Sequence, residues 1–290
     1  MAHIILFEHA NFHGAHKHVF DWEPNLNADD DDFFNDKTSS LVVVEDNWKT
    51  FINAGFKDPY PPILGLGLYP KVSTVGIKND DMSSLQWTRE SPTIVGVPLN
   101  NHVILFEHAN FRGAHKHVFT AEPNLNADDD DFFNDKTSSL AVLKGNWAFY
   151  SNAGLHSQDQ YPPILGPGGY PFVGSVQIVN DQMSALQPVD SRPTVQNPLF
   201  VDQGVVLFEH INFHGAHKHV VARESNLNAS EDDFFNDKVS SFVVRDREWI
   251  FHPDSNFQGN YPVAPLPGQY SNVTDVGIKN DDISSLEPVV

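Results

Sequence analysis

Short runs in which apolar and polar residues alternate, broken every few positions by Gly, Pro, Asn or Asp, predict β-strands along nearly the whole chain. Residues 4–7 (IILF) fill both faces of a first strand. Residues 15–20 alternate after a glycine turn, and residues 39–44 (SSLVVV) are apolar and β-branched. Residues 74–77 (TVGI) read as another strand, leading into an acidic turn. The segment 25–36 (NLNADDDDFFND) is too acidic and too broken for a strand and is expected as a loop with room for one helical turn. No stretch sustains a 3.6-residue period, so the expected fold class is all-β.

The pattern also repeats. FEHANFHGAHKHVF at Phe7 returns as FEHANFRGAHKHVF at Phe106 and FEHINFHGAHKHVV at Phe208, spacings of 99 and 102 residues. A shorter motif occurs six times: 35–40 (NDKTSS), 79–84 (NDDMSS), 134–139 (NDKTSS), 180–185 (NDQMSA), 236–241 (NDKVSS) and 280–285 (NDDISS). Its copies lie 44, 46 and 44 residues apart within each long repeat. The chain therefore reads as three units, 1–90, 101–190 and 203–290, each built from unlike halves A and B. Pro-containing connectors, 91–98 and 191–198, join them. A half-repeat of this length raises a propeller blade, but there is no WD or kelch signature and the halves come in pairs. Three beads on short stiff linkers fit better.

Each short motif offers only oxygen donors: carboxylate, carboxamide, hydroxyl and turn carbonyls. That is the ligand set of a hard cation, with Ca²⁺ first. One copy alone would read as an Asx-turn with satisfied hydroxyls; six at fixed spacing favour a metal role. The runs Asp29-Asp30-Asp31-Asp32 and 128–131 do not make EF-hands, because loop position six lacks glycine and position twelve lacks glutamate. They read as solvated acidic loops that raise the local cation concentration. His16/His18, His115/His117 and His217/His219 each place two imidazoles on one strand face, with His9, His108 and His210 nearby. With a third ligand such a pair could hold Zn²⁺, Ni²⁺ or Cu²⁺; a solvent-exposed strand face is the simpler expectation.

Composition narrows the classes. A net charge of −20 disfavours nucleic acid and anionic membrane surfaces. There is no cysteine, hence no disulfide or thiolate site, and no apolar run long enough to span a membrane. The start lacks a basic n-region, so no secretory signal is expected and a cytoplasmic or spore- or cyst-associated setting is favoured. The Asn228 and Asn272 glycosylation sequons are then chance matches. No nucleophile elbow, zincin, Walker or dinucleotide motif appears, so the chain is expected not to be an enzyme.

In each A half an aromatic is followed seven positions later by glycine (Phe7…Gly14, Phe106…Gly113, Phe208…Gly215), with Phe12, Phe111 and Phe213 two before the glycine. Aromatic-x6-Gly followed by the N/D-N/D-x-x-S/T-S hexapeptide resembles the βγ-crystallin Greek key. The B halves are looser. His252…Gly259 keeps the glycine, whereas Phe51…Asp58 and Tyr150…Ser157 lose it, and Asn-Ala-Gly at 53–55 and 152–154 would move the left-handed residue earlier. The resemblance implies three tandem domains, each a sandwich of two four-stranded Greek-key sheets. It also implies two Ca²⁺ per domain, as in microbial and invertebrate members, each shared by the loop of one key and the hairpin of the other.

Carried over, the fifth-position serines give side-chain oxygens: Ser39, Ser83, Ser138, Ser184, Ser240 and Ser284. The second-position aspartates give carboxylates: Asp36, Asp80, Asp135, Asp181, Asp237 and Asp281. Backbone carbonyls come from the third position (Lys37, Asp81, Lys136, Gln182, Lys238, Asp282) and from the residue after the leading aromatic (Glu8, Ile52, Glu107, Ser151, Glu209, Pro253). Ala185 stands at the sixth position, which reads as structural. The function implied is a non-enzymatic Ca²⁺-binding protein stabilised by its ions, in a stress, dormancy, coat or calcium-buffer role. The competing reading is a multivalent, self-associating or lectin-like binder of a surface or glycan.

Overall fold

The computed structural model describes residues 2–27, 34–126, 133–195, 204–228 and 235–289. The aspartate runs at 29–32 and 128–131 and the end of the second connector lie outside the described residues. Two compact units result: Met1–Leu99 with Phe213–Ala216, and Asn100–Asn212 with His217–Val290.

In the first unit, one antiparallel sheet orders His16–Val19, His3–Phe7, Ser40–Glu45 and Gly67–Tyr69. The second orders Trp22–Glu23, Ser84–Thr88, Asn47–Asn53 and Lys57–Leu64. Each half lends its third strand to the other's sheet. Trp22–Glu23, from half A, pairs with Ser84–Thr88, and Gly67–Tyr69, from half B, pairs with Ser40–Glu45. This exchange defines two interlocked Greek keys. Alternate residues of the two inner faces fill the space between the sheets: Ile4, Leu6, Leu41, Val43, Trp48 and Leu85 are all buried. The Trp48 indole N–H donates to the Glu45 carbonyl at 3.0 Å, so its polar atom is satisfied in the core.

The second unit carries the same plan twice. Repeat two has Arg112–Val118, His102–His108, Ser139–Lys144 and Gly168–Tyr170 facing Gln160–Leu165, Asn146–Tyr150 and Ala185–Val189. Repeat three has His217–Val220, Val205–Phe208, Ser241–Val244 and Gly268–Tyr270 facing Trp249–His252 and Ser285–Pro288. Glu122 and Glu224 replace the short third strand with single bridges to Leu186 and Leu286. Trp147 and Trp249 occupy the position of Trp48 in cores of their own. No α-helix occurs among the described residues, and no described helix is long and apolar enough to cross a membrane, which says nothing of a β-barrel.

Two expectations change. Residues 74–77 are not a strand. Val72–Val75 form a 3-10 turn closed by Gly76 at φ 84°, and Val173–Val176 and Val273–Val276 repeat it. Val72 and Ile77 are both buried, and the Ile77 N–H donates to the Val72 carbonyl at 3.3 Å. The apolar residues that looked like alternation are the two ends of one turn plugged into the core.

The connectors also are more than short stiff linkers, because they dock on the domains they follow. In the first unit the Gly65 N–H donates to the Ile94 carbonyl, Leu68 pairs with Val97, and the Tyr69 hydroxyl donates to the Gly65 and Ile94 carbonyls at 2.7 and 3.1 Å. A Cβ on Gly96 would lie 2.7 Å from the Gly67 backbone, so this docking needs glycine there. Tyr170 repeats the clasp on Gly166 and Val195.

Burial pushes the Tyr69 hydroxyl up to about 12, partly offset by the backbone carbonyls it meets. A raised tyrosine pKa means stability that is complete below about pH 10 and is lost as pH climbs toward 12. Tyr69→Phe should therefore cost about 1 kcal/mol at neutral pH. The gap to wild type should narrow between pH 10 and 12 in urea unfolding; a constant gap would mean that Tyr69 ionises alike in the folded and unfolded chain.

Independent beads are not what the second unit contains. Ile104, Phe106, Phe111 and Ala141 of repeat two pack with Val221 of repeat three. Beside them Arg112 meets Glu224 through two bonds of 2.9 and 2.6 Å.

Candidate metal centre

The six short motifs share one backbone. Every second-position aspartate sits in the left-handed region, with φ between 52° and 54°. Aspartate tolerates that region better than most residues because its short side chain bonds locally. In all six, the preceding asparagine Nδ2 donates to that aspartate's Oδ2 at 2.6–2.7 Å. One carboxylate oxygen is thus fixed and Oδ1 is presented.

The strand exchange between keys decides what Oδ1 meets. The Asp36 N–H donates to the Met82 carbonyl and the Asp80 N–H to the Thr38 carbonyl, and the other two repeats copy this reciprocal clasp. Each fifth-position serine hydroxyl consequently faces the aspartate of the opposite key. Ser39 meets Asp80 at 3.1 Å, Ser83 meets Asp36 at 3.5 Å, Ser138 meets Asp181 at 3.0 Å and Ser184 meets Asp135 at 3.4 Å. Ser240 meets Asp281 at 3.3 Å, and Ser284 meets Asp237 at 3.4 Å.

The serine N–H groups donate to the leading residues' carbonyls, those of Phe7, Phe51, Phe106, Tyr150, Phe208 and His252. That places the next carbonyl beside the hydroxyl, and two such contacts close directly: Ser184 Oγ to the Ser151 carbonyl at 3.1 Å and Ser284 Oγ to the Pro253 carbonyl at 2.8 Å. The carbonyls of Glu8, Ile52, Glu107 and Glu209 follow the same register without a hydroxyl bond.

Third-position residues divide by half. In the B halves a tyrosine not singled out by the sequence reading points its hydroxyl at their carbonyls: Tyr60 at Asp81, Tyr161 at Gln182 and Tyr261 at Asp282, at 3.4, 2.9 and 3.3 Å. Tyr60 and Lys78 also hold the Asp81 carboxylate, and Tyr261 and Lys279 that of Asp282. The lysine ammonium first, then the tyrosine hydroxyl, keeps each carboxyl below the usual range. Those carboxylates are thus turned to their own partners. In the A halves the side chains of Lys37, Lys136 and Lys238 reach Glu8, Glu107 and Glu209 at 3.8–4.0 Å.

Sixth-position serines clip the hairpins instead. Ser139 Oγ donates to the His108 carbonyl at 2.6 Å and accepts the Phe111 N–H at 2.9 Å; Ser40 does the same with His9 and Phe12. In every hairpin the fourth and fifth residues after the leading one are left-handed, glycine taking the first of the two at Gly55 and Gly154. Asp58, at φ 57°, stands in for the missing glycine of half B in repeat one, and Phe56 packs on Phe51 as Phe12 does on Phe7. Half B of repeat two has lost both devices. Ala185 cannot clip, and Ser157–Asp159 form a 3-10 turn where the glycine conformation would be. Ser139→Ala should cost about 1–3 kcal/mol by stranding the buried Phe111 N–H. Chemical denaturation tests it; a loss below 0.5 kcal/mol, roughly the level of a neutral surface change, would mean water replaces the clip.

The description "Beta/Gamma crystallin" belongs to the family model that matches residues 3–88, 102–189 and 204–289. The chain belongs to the βγ-crystallin family. This βγ-crystallin is 27% identical over 256 residues to human beta/gamma crystallin domain-containing protein 2, covering 88% of the chain but only 14% of that relative's length. It is 26% identical over 197 residues to mouse beta-crystallin B2, covering 66% of this chain and 86% of the relative. Among solved structures, a βγ-crystallin from Ciona intestinalis is 32% identical, covering 29% of this chain and 98% of its own, with a TM-score of 0.27.

The histidines of this βγ-crystallin are not the exposed strand face that was expected. His18, His117 and His219 are buried. The carbonyls of His9, His108 and His210 take the sixth-position hydroxyls. His252, in the leading aromatic's place, bonds the Gly259 carbonyl through Nδ1 at 2.6 Å and packs edge-on against Phe257.

Whether the six oxygen clusters fit a hard cation can be tested by angle. At a Ca–O length of about 2.4 Å, oxygens 3.0–3.5 Å apart subtend about 75–95°, the spacing of neighbouring ligands in six- to eight-fold coordination. The set is carboxylate, hydroxyl and carbonyl, with no nitrogen or sulfur, so Ca²⁺ fits it and softer ions do not.

Proposed function

We propose that this βγ-crystallin is a non-enzymatic Ca²⁺-binding protein in which each ion bridges the two Greek keys of one domain. The observation that carries the reading is the exchanged pairing: the serine hydroxyl of one key meets the aspartate Oδ1 of the other, six times over. An ion held by both keys binds only when the keys are docked, so it favours the folded chain. Six ions would also take the formal charge from −20 to about −8, relieving self-repulsion. A calcium buffer and a Ca²⁺-hardened structural protein both follow from that design.

Calorimetric titration of the chelator-treated chain with Ca²⁺ tests the proposal. Saturable binding of more than one ion per repeat on average is expected at or below millimolar Ca²⁺, and absence of binding there would overturn it. The weakest site should be the one with Ser184, Ser151 and Asp135 in repeat two, where the hairpin has lost its clip.

A further inference from the structure

We propose that His115, His117 and His219 form a second kind of metal site, for a borderline transition ion such as Zn²⁺, on the seam between repeats two and three. His115 and His117 stand two apart on the strand Arg112–Val118, so their rings leave the same face. The register puts them beside Phe106 and Ile104, residues of the apolar seam, while Lys116 pairs with Leu105 on the face toward the domain's own core. His219 comes from the strand His217–Val220 of the next repeat.

One ring nitrogen from each of the three lies within 4.8 Å of the other two. The rings fan around a common point instead of stacking: interplanar angles are 66° for His115 with His219, 67° for His117 with His219 and 79° for His115 with His117. Nitrogens at about 2.0–2.1 Å from a tetrahedral Zn²⁺ stand about 3.4 Å apart. Small side-chain rotations would close the cluster to that distance.

The surroundings suit a ligand site. His117 Nδ1 is 2.8 Å from His102 Nε2, a bond that fixes the orientation of the ring. Metal-bound histidines are commonly oriented by such a bond at the other nitrogen. His117 and His219 are buried and His115 half-buried, so three imidazoles converge where water is scarce. The donor set is nitrogen only. It therefore selects Zn²⁺, Ni²⁺ or Cu²⁺ over Ca²⁺, and it leaves one tetrahedral position for water. Two ligands belong to repeat two and one to repeat three, so the ion would staple the two domains together. None of the three is an oxygen-site residue, so the site is independent of the Ca²⁺ reading.

The test uses the full chain, chelator-treated and then held in saturating Ca²⁺ so that the oxygen sites are filled. Zn²⁺ is titrated by calorimetry, and Co²⁺ is followed by its visible absorption. Wild type should bind Zn²⁺ at micromolar concentration and give the intense bands of four-coordinate Co²⁺. His219→Gln and the half-buried His115→Gln should each weaken Zn²⁺ at least tenfold and lose those bands, whereas the exposed His156→Gln should change neither. Melting without Zn²⁺ shows whether each variant is folded; if His219→Gln is not, His115→Gln decides. Undiminished Zn²⁺ binding in a folded His115→Gln chain, or no micromolar binding by wild type, overturns the proposal.

Discussion

Saturating Ca²⁺ is expected to raise the unfolding free energy of the first repeat by several kcal/mol, and Asp80→Asn should remove about half of that gain. One site at a hundred times its dissociation constant contributes about 2.7 kcal/mol, so two per repeat approach the whole margin of a small domain, about 5 kcal/mol at the low end. Asparagine is the informative replacement. It accepts the left-handed backbone that Asp80 holds at φ 52°, its one carbonyl can still take the Asn79 amide, and its NH2 can donate to the Ser39 hydroxyl. What it loses is the charge a hard cation needs. The metal-free variant should therefore be as stable as wild type, or slightly more so because one of many negative charges is gone. Only the Ca²⁺-dependent shift in melting temperature should shrink. Lys37→Ala, which alters a side chain where the backbone carbonyl is the candidate ligand, should leave the shift intact. Equal shifts for Asp80→Asn and wild type would sink the assignment.

Much of the fold was readable because its rules are local. Strand alternation, the aromatic-to-glycine hairpin and the Asn-Asp turn each span fewer than ten residues, and the chain writes them three times. The site was readable only in its parts. Ser39 and Asp80 are 41 residues apart, and their meeting follows from the strand exchange, which no window of sequence displays. The substitutes in the B halves were visible in principle. Phe56 follows Phe51 by the same five residues as Phe12 follows Phe7, and Asp58 is one of the few residues that can replace a left-handed glycine. Measuring from the leading aromatic instead of from the glycine would have found them. Tyr60, Tyr161 and Tyr261, each 21 residues before the turn they support, carry no local signal. Residues 74–77 misled because Val and Ile at short spacing suit a strand and a core-plugging 3-10 turn equally. For the histidines, the two-residue spacing placed both rings on one face but could not say that the face is covered.

Arg112→Ala should be the most damaging single change on the seam of the second unit, costing about 3–5 kcal/mol. The guanidinium grips Glu224 through two bonds, with 15% and 6% of the two side chains exposed. Glu224 cannot turn to water when Arg112 is cut away. Its backbone is bridged to Leu286 in both directions, and its Oε1 is also held by the Asn226 N–H at 2.8 Å. A carboxylate left there without its cation bears most of its desolvation uncompensated. Lys136→Ala is the contrast. Lys136 sits 4.0 Å from Glu107 with 46% and 31% exposed, and the loss should stay within about 1 kcal/mol. Arg112→Ala combined with Glu224→Gln should recover part of the deficit, because the stranded charge is then gone. Urea unfolding of the four chains gives the comparison. If Arg112→Ala costs no more than Lys136→Ala, the apolar cluster of Ile104, Phe106, Phe111 and Val221 holds the two repeats by itself. The larger cost would mean that the ion pair sets their register, and with it the approach of His219 to His115 and His117. Arg112 opens the strand that carries the latter two, and Glu224 lies five residues beyond His219.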